Sequence, residues 1–222
     1  MKVDVVYNKS CQSREFGYEA GANNEYKDVK NEARRTASEI KHLKPKIILD
    51  LCGGTGAWSK PYANSGYDVK IITFPQYDVR FYKPPNKVYG ILAAPPCTHL
   101  AVSGARWWKK KGISALFEAL AIIDACMRII LLAQPKFWAL ENPTGRLIHY
   151  LGKPTFTFNP CDYGDPYTKR TCLWGEFNIP KKNPVDPINK NFIHYIGPGP
   201  NRQKKRSITP SGFAKAFFEA NQ

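Results

Sequence analysis

Acidic residues are scarce in this chain of 222 residues, which has 18 Asp and Glu against 33 Lys and Arg. The formal net charge is +15. A surface with so few carboxylates attracts polyanions and repels other cations, so nucleic acid is the favoured partner. The alternative at this stage is a basic protein that has no acidic partner.

Metal-binding and export motifs are missing as well. The six cysteines contain no CxxC pair and the four histidines no closely spaced pair, so no metal site is predicted. The amino-terminal residues lack the apolar core of a secretion signal. We therefore expect a cytoplasmic protein with reduced thiols.

Long apolar runs are rare, and one stretch, residues 113–133, raises the question of a membrane span. Charged side chains interrupt it on one arc of the predicted helix, namely Glu118, Asp124 and Arg128. The opposite arc is apolar and consists of Ile113, Leu116, Phe117, Leu120, Ile123 and Met127. This pattern is typical of a helix packed on a core, so we expect no membrane partner.

The order of apolar segments predicts an α/β fold. Helices are expected over about 26–43, over 113–133 and at the end of the chain, where an apolar face contains Phe213, Phe217 and Phe218. Since strands alternate with helices, we expect a largely parallel sheet with helices on both faces. The predicted strands are 46–51, 67–73, 78–82, 88–94, 137–143, 155–158 and 171–175.

Composition divides the chain into four parts. Residues 1–45 form an extension with a strand at 3–7 and a basic helix, and residues 46–175 form the main domain. Residues 176–206 are a short insert rich in Pro, Asn and Lys, which ends in a strongly positive loop. Residues 207–222 return to the main domain as a helix.

A glycine-rich turn follows the first strand of the main domain, with the sequence CGGTGAW at 52–58. Glycines let a ligand approach the backbone, and a strand, turn and helix in this order are typical of a nucleotide-type cofactor site. The spacing is neither GxGxxG nor GxxxxGK[ST], so neither NAD nor a nucleoside triphosphate is favoured.

Two prolines end the strand at 88–94, and Cys97 follows them directly. Proline cannot continue a buried strand, so the cysteine is displayed at the carboxyl end, where open α/β sheets bind ligands. Its thiol is either a nucleophile or a small buried apolar group. The loop at 98–112 then interleaves Trp107 and Trp108 with basic residues, which suits nucleic acid or a solvated charged surface.

Glu141 ends the strand at 137–143. In a parallel sheet this position lies at the same edge as Cys97, so the two side chains could share one cleft. Burial would raise the pKa of the carboxyl group and make it a proton donor. The alternative is a carboxylate that stabilises a loop or caps a helix.

The order of these motifs resembles that of the DNA cytosine-5 methyltransferases, over residues 46–175 and 205–222, and is most similar to the compact members carried by bacteriophages. The motifs that carry the resemblance are DLCGGTGAW at 50–58, PPC at 95–97, LF at 116–117, ENP at 141–143, YGDP at 163–166 and RSITP at 206–210. The resemblance implies a trimmed Rossmann-like sheet with a very small recognition insert. It also implies methyl transfer from S-adenosylmethionine to C5 of cytosine in duplex or single-stranded DNA, by a monomer.

The resemblance gives roles to individual residues. Cys97 matches the nucleophile that adds to cytosine C6, Glu141 the acid near N3, and Arg170, or less closely Lys169, a base-holding arginine. The residues implied for the cofactor are Asp50, Cys52, Gly54, Thr55, Gly56, Ala57, Trp58, Asp78, Pro95 and Leu116. The residues expected to contact DNA are Ser103, Gly104, Arg106, Lys109, Lys110, Lys169, Arg202, Lys204, Lys205 and Arg206.

The chain departs from the family pattern in three places. No acid follows the second strand, which ends at Thr73, and placing Arg170 requires a gap of one residue. The insert at 176–206 is far shorter than the family's recognition domain, which predicts short or relaxed sequence specificity. The alternatives that remain are the same chemistry on RNA or a cytosine nucleotide, and a non-catalytic remnant that binds nucleic acid.

Overall fold

The computed structural model of the protein describes residues 29–31, 45–188, 197, 199 and 201–222. The chain divides into two compact units, residues 1–44 and 45–222. In the first unit residues 29–31 are helical, and the rest of the predicted helix and the predicted strand at 3–7 lie outside the described residues. Every element named below belongs to the second unit.

The second unit is an α/β structure built on a six-stranded, mostly parallel sheet with the order β2-β1-β3-β4-β6-β5. The first four strands along the chain are parallel to one another, and β6 is antiparallel to both β4 and β5. The strands are β1 (Ile47–Leu51), β2 (Asp68–Ile72), β3 (Val88–Ala93), β4 (Phe137–Pro143), β5 (Phe156–Phe158) and β6 (Thr171–Glu176).

Helices connect and cover these strands. They are α1 (Lys60–Asn64), α2 (Trp108–Ala133), α3 (Ile148–Leu151), α4 (Arg202–Ser207) and α5 (Ser211–Ala220), with two 3-10 helices at Val102–Trp107 and Pro160–Tyr163. Across the described part of the chain, none of the helices combines the length and the apolar character that a membrane crossing needs.

Alternate residues of the strands face two separate hydrophobic clusters, because side chains in a strand point to opposite faces in turn. Leu49 and Ile91 pack in one cluster with the buried residues of α2. Ile48 and Leu92 pack in the other with aromatic side chains of α1 and α5. Helices therefore cover both faces of the sheet, as the sequence predicts.

Helix α2 is a packed helix, but its buried stripe differs from the predicted one. The stripe runs through Leu116, Ala119 and Ile123 toward Ile130. Phe117 is exposed, because one residue along a helix turns the side chain by about 100° away from that stripe. Ile113 is also exposed and follows Gly112, whose φ of 75° interrupts the helical backbone.

The predicted strand at 78–82 is wrong, and this segment is a turn. The Asp78 carboxylate accepts a hydrogen bond of 2.9 Å from the backbone N–H of Arg80. This bond bends the chain at the start of the segment. The guanidinium of Arg128 then donates to the carbonyl oxygens of Val79, Arg80 and Tyr82. These carbonyl oxygens accept hydrogen bonds from a helix side chain. They are therefore not available to the backbone N–H groups of a neighbouring strand.

Two predicted loops contain helices. The loop at 98–112 holds a 3-10 helix and the first turn of α2, and the positive loop before residue 207 contains α4. The predicted final helix is confirmed as α5, in which Phe213 and Phe217 are fully buried and Phe218 is half-buried.

Candidate active site

The glycine-rich turn and Cys97, the two sites predicted at strand ends, both lie where the strand order reverses. From β1 the chain moves to β2 on one side and then returns to β3 on the other side. The carboxyl ends of β1 and β3 therefore border the crevice in which open α/β sheets bind ligands. The glycine-rich turn follows β1 and Cys97 follows β3, and the N–H of Ala94 donates to the carbonyl oxygen of Leu51 at 2.9 Å between them.

The Cys97 thiol is half-buried beside one acidic and two basic side chains. Burial raises the pKa of the thiol, and the negative charge of Glu141 raises it further. The positive charges of Lys169 and Arg206 lower the pKa and oppose both effects. Charges at the end of β4, just before β6 and on α4 therefore act on the thiol that follows β3.

Glu141 and Lys169 form the closest charged pair of this cluster, with 4.0 Å between Oε1 and Nζ. Their side chains are only 18% and 14% exposed, respectively. Burial raises the pKa of Glu141, and the charge of Lys169 opposes that rise. Glu141 Oε1 is buried and has no hydrogen-bond partner within the described residues, so it can exchange a proton or a hydrogen bond with a ligand.

The structure places Lys169 beside Glu141 and leaves Arg170 exposed. Strand β6 is antiparallel to β4, with Thr171 opposite Pro143, so the residues just before β6 lie at the edge where β4 ends. The Thr171 hydroxyl donates to the carbonyl oxygen of Lys169 at 2.9 Å and holds this approach to the strand. Of the two residues that the resemblance offers for holding the base, Lys169 is therefore the one that lies beside Glu141.

Asn142 is fully buried between the two strand ends. Its side-chain amide donates to the carbonyl oxygen of Pro95, two residues before Cys97. The sequence analysis used Asn142 only as part of a motif and missed this contact. The motif itself is the signal that could have found it, because an amide between an acid and a proline has few other uses at a strand end.

The loops after β3 and β4 are also joined through their backbones. The N–H of Val102 donates to the carbonyl oxygen of Thr144 at 2.9 Å, and the N–H of Arg146 donates to that of Leu100 at 2.8 Å. Gly145 lies between these bonds, where a Cβ atom would be 2.0 Å from the carbonyl oxygen of Leu100. A residue with a side chain cannot take this place without moving the backbone.

The turn after β1 presents an open surface. Gly54 has a φ of 55°, and no described atom lies within 4 Å of the position of a Cβ there. Thr55 beside it is exposed, whereas Cys52 and Ala57 are half-buried. Within this turn, only Gly54 and Thr55 are thus exposed. A ligand could contact the backbone of both residues and the side chain of Thr55.

Asp50 supports this turn from inside. It is fully buried, and the Ser59 hydroxyl donates to its Oδ2 at 2.5 Å. Burial raises the pKa of Asp50 to about 6, although the bond to Ser59 lowers it. The carboxylate lies directly beneath Gly53, where a Cβ would be 2.3 Å away from it.

Other residues implied for the cofactor have different surroundings. The Trp58 ring packs against Phe213 and Phe217, with ring centroids 5.9 and 5.3 Å away, so its side chain belongs to the core. Leu116 and Pro95 are buried as well. The carboxylate of Asp78 forms an ion pair with Arg80, whose side chain donates hydrogen bonds to both carboxylate oxygens.

The residues expected to contact DNA lie on three surface elements. Ser103, Gly104 and Arg106 are in the 3-10 helix after Cys97, Lys109 and Lys110 are in the first turn of α2, and the remaining residues apart from Lys169 are on α4. On α4, Lys204 and Lys205 are exposed, whereas Arg206 is half-buried and acts on the Cys97 thiol. The described residues contain no cluster of three or more side chains that could hold a metal ion.

Comparison with known proteins leaves this site without an assigned family. No protein-family model matches the chain. A search of curated proteins gives no match either. Any assignment of function therefore depends on the chemistry of the cluster itself.

Proposed function

We propose that this protein transfers a methyl group from S-adenosylmethionine to C5 of cytosine in DNA. The observation that carries the proposal is the juxtaposition of the Cys97 thiol with Glu141 and Lys169 at the carboxyl ends of β3 and β4. The net charge of +15 supports a polyanionic substrate. The motif order at 46–175 and 205–222 supports the family.

The reaction needs a nucleophile and an acid on one cytosine ring, because C5 alone is a poor nucleophile. The Cys97 thiolate adds to C6 and forms an S–C6 bond while Glu141 donates a proton to N3, and the displaced electron pair makes C5 electron-rich. After C5 has accepted the methyl group, the C5 proton leaves to a water molecule. The S–C6 bond then breaks, N3 returns its proton to Glu141, and the thiolate is restored.

The raised pKa of Glu141 and the positive charges that act on the thiol each have a role in this scheme. Burial raises the pKa of Glu141, which favours the protonated form that can donate to N3. Lys169 and Arg206 favour the thiolate that attacks C6. The pKa of the acid is thus shifted in the direction that the first step requires, whereas the net rise in the pKa of Cys97 disfavours the thiolate.

The turn after β1 and the segment after β2 fit the cofactor. The open backbone at Gly54 and Thr55 can receive its amino acid part, and Phe74 and Tyr77, both exposed beyond β2, can cover an adenine ring. Because Thr73 stands at the end of β2, a ribose contact from a carboxylate must come from elsewhere or is absent. When bound, S-adenosylmethionine supplies the methyl group as an electrophile.

Specificity is proposed to be short or relaxed. Reading base edges requires several side chains placed in a groove, and the insert at 176–206 is far shorter than the family's recognition domain. Mapping methylated sites by bisulfite sequencing tests this part of the proposal. A single long recognition sequence would contradict it.

The central experiment is covalent trapping. The protein is incubated with S-adenosylmethionine and a duplex that contains 5-fluorocytosine, and the products are separated by denaturing electrophoresis. Fluorine at C5 blocks the loss that precedes elimination, so the S–C6 bond should persist as a shifted band. Cys97→Ala should give no band, and Cys161→Ala, which removes a half-buried cysteine elsewhere, should give the same band as the wild type.

The substrates in parallel reactions separate the alternatives. A band with RNA or single-stranded DNA, and none with duplex, would keep the chemistry and change the substrate. No band with any substrate, from a protein that still binds DNA, would favour the non-catalytic remnant. A band from Cys97→Ala would remove the mechanism altogether.

A further inference from the structure

Arg146 is a half-buried cation without an acidic partner among the described residues. Its guanidinium lies 3.8 Å from the centroid of the Trp108 ring. Within the part of the chain that the structure describes, no ion pair or hydrogen bond involves the N–H groups of this side chain. A guanidinium carries five N–H donors, and donors partly removed from water are costly to leave without an acceptor. An anion from outside the chain would supply that acceptor.

Arg146 lies at the edge of the sheet that carries the proposed nucleophile and the proposed acid. It is in the loop after β4, five residues beyond Glu141. Its backbone N–H donates to the carbonyl oxygen of Leu100 at 2.8 Å, in the loop that begins at Cys97. Trp108, which the guanidinium contacts, is the first residue of α2. The two loops of the candidate site therefore meet at Arg146.

The contact with Trp108 leaves the guanidinium able to bind a phosphate. An aromatic ring holds this planar group through its face, so N–H groups at its edge stay free to donate. Two such N–H groups match two oxygens of one phosphate, which gives a bidentate, charge-assisted contact. Because the ring already restricts the side chain, less conformational entropy is lost when the phosphate binds.

The sequence provides no acid along the two segments that meet here. None occurs between Asp78 and Glu118 or between Glu141 and Asp162. The first turn of α2 instead adds three consecutive lysines, at 109–111. Such a surface attracts anions, and in a nucleic acid the anions are the backbone phosphates.

We propose that Arg146, held against Trp108, binds a phosphate that flanks the target cytosine in its strand. When the cytosine ring lies between Cys97 and Glu141, the attached sugar and phosphates remain outside, next to the loops that carry these two side chains. Arg146 lies where those loops meet. The contact positions the nucleotide and reads no sequence. This inference rests on the proposed function, because it requires a cytosine between Cys97 and Glu141.

The test removes the charge of one phosphate at a time. The protein and S-adenosylmethionine are incubated with duplexes that contain 5-fluorocytosine, in which a neutral methylphosphonate replaces the phosphate on its 5′ or its 3′ side. The rate of adduct formation is compared with that on the unmodified duplex. At one of the two positions, the methylphosphonate should slow the wild type about tenfold and Arg146→Gln only about twofold or less. On the unmodified duplex, Arg146→Gln should itself be about tenfold slower than the wild type.

Lys153→Gln is the matched control, because Lys153 is exposed in the same acid-free segment and its loss removes the same charge. The methylphosphonate should slow this variant as much as it slows the wild type. Arg146→Lys keeps the charge and loses the planar fork, so it should recover only part of the rate. The methylphosphonate effect is a ratio within one protein sample, so a partial loss of folded protein cancels.

Two results would overturn the phosphate contact and leave the methyl transfer intact. One is a methylphosphonate effect that is absent from the wild type, or that is equal in the wild type and Arg146→Gln at both positions. The other is an Arg146→Gln rate that returns to the wild-type rate at higher S-adenosylmethionine concentration, because the anion would then belong to the cofactor.

Failure of the proposed function gives a different result. A wild-type protein that forms no adduct with any unmodified strand or duplex would overturn the proposed function itself. If only single strands are trapped, the same two replacements are made in the single strand and the same rates decide the contact.

Discussion

The side-chain amide of Asn142 donates a hydrogen bond of 3.0 Å to the carbonyl oxygen of Pro95 and thereby joins the end of β4 to the turn that carries Cys97. Because Glu141 precedes Asn142, this contact helps to fix the distance between the proposed acid and the proposed nucleophile. The bond is fully buried, so its loss leaves an acceptor without water.

We therefore expect Asn142→Ala to slow covalent trapping by tenfold or more and to lower the free energy of unfolding by about 1–3 kcal/mol. The two effects are measured by adduct formation and by urea denaturation. Asn221→Ala is the control, because Asn221 is also buried and its amide donates to the carbonyl oxygens of Asn178 and Phe217, away from the thiol. If the two variants have the same free energy of unfolding and form the DNA adduct at the same rate, Asn142 does not position the turn.

Lys169 and Arg170 should differ in their effect on the reaction. Lys169 is half-buried beside Glu141, whereas Arg170 is exposed. Lys169→Gln should reduce the rate of adduct formation much more than Arg170→Gln, although each removes one positive charge. Glu141→Gln should cost about 10²–10⁴-fold, which is the usual effect of losing a general acid. A larger loss from Arg170→Gln would restore the motif-based placement of the base-holding residue.

The pKa of Cys97 gives a prediction for its reactivity. Because burial and Glu141 raise this pKa, the rate of alkylation by iodoacetamide should still rise with pH above about 8.5, where an ordinary cysteine begins to level off. Arg206→Gln removes a charge that favours the thiolate and should move the profile to higher pH. Mass spectrometry of the Cys97 peptide measures the rate.

Lys204→Gln is the matched control for this titration. Lys204 lies on the same helix and is exposed, so its loss changes the net charge without changing the surroundings of the thiol. Equal shifts for Lys204→Gln and Arg206→Gln would mean that Arg206 acts only through the overall charge, and a specific effect of Arg206 on the thiol would be rejected.

Asp50 makes folding stability depend on pH with a definite sign. Its pKa is about 6 in the folded protein, above the value of about 3.9 expected when unfolded, so the folded state favours the protonated form. The associated stability is present below pH 4 and is lost as the pH rises through 6. The charged carboxylate then costs up to about 3 kcal/mol.

Asp50→Asn should remove this dependence. Relative to the wild type, it should be up to about 3 kcal/mol more stable at pH 7 than at pH 4, measured by urea denaturation at the two pH values. Ser59→Ala should make the wild-type dependence steeper, because the Ser59 hydroxyl stabilises the charged form. Asp50→Asn and the wild type could instead differ in free energy of unfolding by the same amount at both pH values. That result would contradict the raised pKa of Asp50.

Local sequence signals predict much of this fold. Apolar runs ended by Gly or Pro mark the strands at β1, β3 and β4, because each run is buried on both faces and stops where the chain must turn. The segment at 78–82 fails because its carbonyl groups bind Arg128, which is distant in sequence. No pattern within five residues can reveal a partner so far along the chain.

The candidate site, like the fold, could be predicted only in part from the sequence. The proximity of Cys97 and Glu141 follows from the rule that parallel strands end at one edge, so it could be predicted. The choice of Lys169 over Arg170 depends on the direction and register of β6, which come from pairing with β4. The approach of Arg206 to the thiol depends on where α4 packs, and a short basic segment carries no signal for that.

Phe213 and Phe217 reach the sheet from residues that are made after every strand of the fold. During synthesis on the ribosome, the face of the sheet against which Trp58 and Tyr62 pack stays without this cover until the helix emerges. A nascent chain at that stage exposes a broad apolar surface, which is the kind of surface that chaperones protect from aggregation. The helix that covers this face of the sheet can therefore pack only after all six described strands have been synthesised.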